Sequence, residues 1–194
     1  MSISEIRQSG KQSGSLIQFP EIRTERCLLR QVISADKPEI FRGLSHPTVT
    51  EFMSIHFDTL EEAEKQMEFY KNHWKFQTGI FWAIELIDTS KLAGVIGVYD
   101  INGKHNSAEW GFWLLPESKG KGIIGEIGGA VLDYAFKNLG LNRIKAEVES
   151  GNIDSIRVIQ KFKFVHEGTL RQCEMNRKGK YIDLMIFSRL KSDK

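Results

Sequence analysis

The chain predicts an α+β fold: a mixed sheet of about seven strands flanked by about four helices. Three observations carry this expectation. Residues 81–115 contain three apolar runs joined by turns too short for anything but antiparallel neighbours. Residues 109–126 pass from a strand through a glycine turn directly into a helix. Residues 143–189 then add a strand, a helix and a hairpin in that order. With 194 residues and a hydrophobic fraction of 41%, the chain is long enough to bury about 70% of its unfolded surface as one domain.

Residues 1–15 are rich in Ser, Gly, Gln and Lys without periodicity, which predicts a mobile tail ahead of a single domain over residues 16–194. Residues 22–32 read as a strand. Residues 35–44 read as a short helix with Pro38 in its first turn. Thr59-Leu60-Glu61-Glu62 matches a capping box. It opens a helix over residues 60–76, whose Leu60, Ala63, Met67, Tyr70 and Trp74 share one face. The strands at residues 81–87, 92–102 and 107–115 are punctuated by Asp88-Thr89-Ser90 and by Asn102-Gly103-Lys104-His105-Asn106. Trp110 and Trp113, three apart on the last of these strands, point to opposite faces of the sheet.

The strand stops at Pro116, and a turn holding Gly120 and Gly122 leads into a helix at Ile123. Ile123, Ile127, Ala130 and Tyr134 form one apolar row of that helix, with Ile124, Val131 and Ala135 beside it. Residues 143–149 alternate as a half-buried strand. Ser150-Gly151-Asn152-Ile153-Asp154-Ser155 opens a second helix through Ile156, Val158, Ile159 and Phe162, and residues 164–175 and 180–189 form a hairpin across Asn176-Arg177-Lys178-Gly179.

Composition excludes several classes of function. A formal net charge of +2 predicts no nucleic-acid partner. Cys27 and Cys173 are too few for a disulfide framework and read as reduced thiols. No apolar run approaches the roughly 20 residues of a membrane span, and the start of the chain is too polar for a signal peptide. The expectation is a cytoplasmic protein with no membrane partner. His46, His56, His73, His105 and His166 lack metal-ligand spacing, so no metal is expected.

The chemistry concentrates in the glycine turn. A helix start leaves backbone N–H groups without intrahelical partners, and these donors sit at the positive end of the helix dipole, which suits a phosphate or pyrophosphate. Lys119 and Lys121 add positive charge there. The turn lacks P-loop spacing. Gly120-Lys121-Gly122-Ile123-Ile124-Gly125 does match the dinucleotide pattern, but it lies past the middle of the chain and after antiparallel strands, so a nicotinamide-dependent oxidoreductase is a remote reading.

The order of elements around this turn resembles the GNAT family, the acyl-CoA-dependent N-acetyltransferases. Lys119, Gly122 and Ile124 occupy the positions of its Gln/Arg-x-x-Gly-x-Gly/Ala stretch, and Asn152, Ser155 and Phe164 match its later Asn-x-x-Ala/Ser and the Phe that closes the helix. Within the family, Glu25-Arg26-Cys27-Leu28-Leu29-Arg30, His46-Pro47-Thr48-Val49-Thr50 and Ala108-Glu109-Trp110-Gly111-Phe112-Trp113-Leu114 are similar to the branch that acetylates N-terminal amines of ribosomal proteins. Arg143, Arg157, Gly168 and Arg171 fall at its usual places. The resemblance runs from about residue 22 to 190. The departures are Lys119 for Gln or Arg, Ile124 for Gly or Ala, Lys163 for the glycine before Phe164, and Ile159 where many members carry a tyrosine acid.

The resemblance implies acetyl-CoA as donor co-substrate, without a metal. Strands 107–115 and 143–149 would lie parallel and splay apart. Pantetheine would lie along Phe112, Trp113, Leu114 and Leu115, with Asn152 and Ser155 beside it. The turn of Lys119, Gly120, Lys121, Gly122, Ile123, Ile124 and Gly125 would hold the pyrophosphate. Glu109 would be the base that takes the proton of the amine, against the alternative of an ion-paired strand carboxylate. Ser155 would assist the departing thiolate, against the alternative of a helix cap. The acceptor, a protein N-terminal α-amine or a small amine, would enter between residues 44–57 and the final hairpin. A CoA-binding sensor or scaffold is the competing function, and a homodimer is compatible with either.

Overall fold

The computed structural model describes residues 18–193; the expected tail at residues 1–15 lies outside them. Along the chain come β1 (Ile22–Arg23), β2 (Cys27–Gln31), α1 (Lys37–Leu44), α2 (Pro47–Thr50), α3 (Leu60–Lys75), β3 (Gly79–Leu86), β4 (Lys91–Asn102) and β5 (Ser107–Leu114). Then follow α4 (Ile123–Lys137), β6 (Arg143–Glu149), α5 (Ile153–Lys161), β7 (Val165–Met175) and β8 (Tyr181–Leu190). The strands form one eight-stranded sheet in the order β1-β2-β3-β4-β5-β6-β8-β7.

The eighth strand comes from the run at residues 22–32, expected to be continuous. It folds back at Thr24, whose N–H donates to the Cys27 carbonyl at 2.9 Å. Glu126, in the first turn of α4, pins this turn. Its carboxylate accepts from the Thr24 hydroxyl at 2.6 Å and from Arg26 N–H and Nε at 2.9 and 2.6 Å. The one-turn helix α2 was not expected, because four residues carry no periodicity to read. At the start of α3, Glu62 accepts from the N–H groups of Asp58 and Thr59 at 2.7 and 3.1 Å, as the capping-box match requires. Leu60, expected on the buried face, is 42% exposed because it opens the helix.

Each face of the sheet carries a core. On one, Ile127, Val131 and Ala135 of α4 and Ile159 of α5 pack with Ile96, Val98, Trp110 and Ile144. On the other, Ile40, Leu44 and Tyr70 pack with Ala83, Val95 and Trp113. The two tryptophans fall in different cores, as their spacing demands. Helix α4 contains Gly125, Gly128 and Gly129, each costing roughly 1 kcal/mol against alanine. Burial of Ile123, Ile124, Ile127, Val131, Leu132 and Phe136, at about 2 kcal/mol each, outweighs that cost and keeps the helix.

The central strands part company. β5 runs parallel to β6 over Ser107↔Arg143, Ala108↔Ile144 and Glu109↔Lys145. Beyond Glu109, β5 stays with β4 as far as Gly94↔Leu114, while β6 follows β8 to Glu149↔Leu184. The edge of β5 facing β6 therefore has no strand partner from Trp110 onward.

Candidate active site

The fork opens onto a cavity of about 690 Å³. Its walls are residues 110–113 of β5 and 146–149 of β6, with Asn152, Ser155 and Ile159 of α5 behind them. The segment after α2, including Glu51, Phe52 and Met53, closes one side, and Glu174, Met175 and Asn176 of the final hairpin close another. These are the two regions from which the sequence led us to expect the acceptor pocket. Helix α3 adds Lys65, Gln66, Phe69 and Tyr70, a contribution the sequence did not reveal.

Next to the fork lies the start of α4. Gly122 takes φ = 73°, a left-handed conformation that a side chain disfavours by about 1–2 kcal/mol. The first bond into the helix is from Glu126 N–H to the Gly122 carbonyl at 3.1 Å. The N–H groups of Ile123, Ile124 and Gly125 thus precede the intrahelical ladder, and no described side chain caps them. Ile124, which stands where the family carries Gly or Ala, is 4% exposed and turns its side chain into the core. The Lys161 ammonium stands over this first turn, 2.7 Å from the point where a Cβ on residue 125 would lie. Arg26 closes the other side by donating to the Lys121 carbonyl at 3.2 Å.

Two expected ligand contacts are otherwise engaged. Lys119 does not point into the turn: its ammonium donates to the Thr48 carbonyl of α2 at 2.5 Å, and burial pushes its pKa below the ordinary lysine value. The ammonium over the turn is that of Lys161. Leu115 has its N–H bonded to the Ala93 carbonyl at 2.8 Å and its carbonyl bonded to Ser118 N–H at 2.9 Å, so its amide offers nothing to pantetheine. The Leu114 side chain faces the core. Trp113 lines the cavity, and its indole N–H donates to the Tyr70 hydroxyl at 3.1 Å. Burial of Tyr70 lifts that phenol to about 12.

On α5 the cap is Asn152, whose side chain accepts from Ser155 N–H at 3.1 Å. Ser155 is not the cap. It lines the cavity, and its hydroxyl makes no hydrogen bond to another described residue. Ile159 lines the same wall and has no proton to give.

Glu109 sits at the vertex of the fork rather than along the cavity wall, its side chain 16% exposed. The Tyr99 hydroxyl donates to Oε1 at 2.6 Å, and Lys145 Nζ lies 3.1 Å from Oε2. Lys145 also reaches Glu147 at 2.7 Å, and Glu147 does line the cavity. Bonding to Glu147, then to Glu109, raises the Lys145 pKa. Burial, reinforced by Glu109, raises that of Tyr99. Among the described residues no group of three or more His, Cys, Asp or Glu is placed to hold a metal.

An open strand edge over a cavity, beside an uncapped helix start, has the geometry that suits an extended phosphate-bearing ligand. The chain belongs to the GNAT family of N-acetyltransferases: the family's model, described as acetyltransferase (GNAT) domain, matches residues 26–165, and the chain is an acyltransferase. An uncharacterized N-acetyltransferase of Bacillus subtilis, YoaA, is 34% identical over 174 residues, spanning 89% of this chain and 98% of the relative. A putative ribosomal N-acetyltransferase of the same organism, YdaF, is 32% identical over 122 residues, 62% of this chain and 66% of that protein. The solved spermidine N-acetyltransferase of Vibrio cholerae, in complex with CoA and spermine, superimposes with a TM-score of 0.77 at 25% identity, covering 87% of this chain and 98% of that one.

Proposed function

We propose that the protein transfers an acetyl group from acetyl-CoA directly to a primary amine, a small amine or a protein N-terminal α-amine. The observation that carries this reading is the fork beside α4: an unpaired strand edge from Trp110 onward next to three uncapped N–H groups and Lys161. An extended pantetheine arm can bond to such an edge as an added strand does, and the helix start suits its pyrophosphate. Acetyl-CoA supplies the thioester, and everything else is done by the chain. Glu51, Glu147, Glu149 and Glu174 line the cavity against Lys65, a charge balance that draws in an amine as its cation. Glu109, through a water at the vertex, takes the proton that the cation must lose before its nitrogen can attack the acyl carbon. As the carbon–sulfur bond breaks, the Ser155 hydroxyl lies on the wall where the thiolate departs.

The test is calorimetry with acetyl-CoA, CoA and NAD, followed by thiol release over a panel of small amines, polyamines and peptides with varied N-termini. We expect CoA binding and turnover on at least one amine. NAD binding without CoA binding would overturn the reading, and CoA binding without turnover on any amine would make the protein a CoA sensor.

A further inference from the structure

At the vertex of the fork, three strands bring three polar side chains into one row. Tyr99 of β4 is the cross-strand partner of Glu109 on β5, and Glu109 is the partner of Lys145 on β6. This is the last level at which β5 and β6 are joined, so the row lies where the cavity begins. Tyr99 lines that cavity. Its ring stacks on Phe81, with centroids 5.3 Å apart and planes at 18°, and it lies across residue 111. A Cβ there would stand 3.2 Å from the Tyr99 hydroxyl and 3.3 Å from its Cε1. The glycine at 111 therefore leaves the space through which the phenol reaches Glu109.

The contact has a direction. A carboxylate can only accept, so the tyrosine must donate. Tyr99 thus fills one lone pair of Oε1 and Lys145 one of Oε2, which fixes the rotation of the carboxylate and leaves a further lone pair on each oxygen. The charged and titratable groups around the row are Lys145 and Glu147 on β6, Asp100 on β4 and His73 on α3, whose ring lies 6.4 Å from that of Tyr99. Of these, Tyr99 and Lys145 have a polar atom on the Glu109 carboxylate.

We propose that Tyr99 is a positioning residue for acetyl transfer: its hydroxyl, threaded over Gly111, holds the Glu109 carboxylate turned toward the incoming amine. The proposal rests on the assignment of Glu109 as the proton acceptor. Losing the hydroxyl frees the carboxylate to rotate away from the incoming amine.

The experiment is a double-mutant cycle with Tyr99→Phe and Glu109→Gln, using an α-amino peptide or small amine found in the acceptor panel and saturating acetyl-CoA. Tyr99→Phe keeps the ring and its stacking on Phe81, so we expect wild-type acetyl-CoA affinity and thermal stability. Turnover at neutral pH should fall about tenfold, with the KM for the amine within about twofold of wild type. In the Glu109→Gln background the same change should cost less than about twofold, because a residue that acts through another has nothing left to act on. Gly111→Ala, which crowds the hydroxyl while leaving both groups present, should reproduce the Tyr99→Phe loss. Additive losses in the cycle, or a Tyr99→Phe enzyme with wild-type kcat, would overturn the role of Tyr99 while leaving Glu109 as the base. Wild-type turnover in Glu109→Gln alone would overturn both assignments.

Discussion

At the scale of the residue, the proposed transfer divides its proton chemistry between Glu109 and Ser155. The Glu109 carboxylate accepts from the Tyr99 hydroxyl and faces the Lys145 ammonium, so in the proposed transfer it acts as a relay through water, with the proton leaving the acceptor as bond formation proceeds. Replacing it by glutamine keeps the shape and removes the proton-accepting charge. Turnover of Glu109→Gln at neutral pH should drop by roughly 10²–10⁴, with acetyl-CoA affinity nearly unchanged. Part of the rate should return as pH rises, since more acceptor is already a free amine. Ser155 has a free hydroxyl because Asn152 performs the capping. Ser155→Ala should therefore leave the helix intact and cost less than Glu109→Gln, least with acyl donors whose thiol leaves easily. Steady-state rates against pH with one acceptor check both; a Ser155→Ala enzyme that melts well below wild type would return the serine to a structural role.

At the scale of the element, the start of α4 has the features expected of a phosphate-binding turn. Gly122 in its left-handed conformation ends the loop, and the three N–H groups after it have no capping side chain among the described residues. Gly122→Glu would add backbone strain and a carboxylate beside those donors, with Arg26 Nη2 3.9 Å from the new Cβ. That arginine already carries Glu126 at 2.6 Å, so it offsets only part of the added charge. CoA affinity should fall at least about tenfold, or ~1.4 kcal/mol, measured by calorimetry on a variant with a wild-type circular dichroism spectrum. Unchanged affinity in that folded variant would move the pyrophosphate elsewhere.

At the scale of the whole molecule, ion pairs brace the parts of the sheet that the fork separates. Glu167 of β7 accepts from Arg143 of β6 and from the Ser188 hydroxyl of β8 at 2.7 Å each, and these bonds hold its carboxyl at about 2 against an ordinary 4.5. Glu117, bonded to Arg42 of α1, is likewise held at about 2 against 4.5. A folded-state pKa below the unfolded one means that the unfolded chain binds the proton more readily. Stability from these pairs is thus complete above about pH 4.5 and is lost as pH falls toward about 2. Both carboxylates are more than a third exposed, at 38% and 55%, so each contributes modestly. Urea midpoints should decline between pH 5 and 3, and Glu117→Gln with Glu167→Gln should flatten that decline. An identical slope in the double variant would assign acid sensitivity to other groups.

Local pattern determined much of this protein before any folding was considered. Alternation and turn chemistry defined β3 to β6 to within about two residues, helical spacing defined α3 and α4, and the run from Glu109 to Gly125 pointed to a phosphate-binding turn. These signals are legible because they depend on neighbours in sequence. What depends on register or on crossing elements was not. The hairpin of β4 and β5 starts with Asn102 opposite Ser107, which extended regularly would set Tyr99 opposite Trp110. An irregularity after Tyr99, with Asp100 at φ = 51°, shifts the pairing by one residue and brings Tyr99 to Glu109 instead. One step of register turns a side chain to the other face, so only the tertiary structure decided what Glu109 touches. The same holds for the cations of the turn. Sequence proximity favoured Lys119, but α2 packs near enough for the Thr48 carbonyl to take its ammonium, and α5 crosses α4 so closely that Lys161 fills the space over Gly125. Periodicity determines which elements form; packing decides which of their side chains meet.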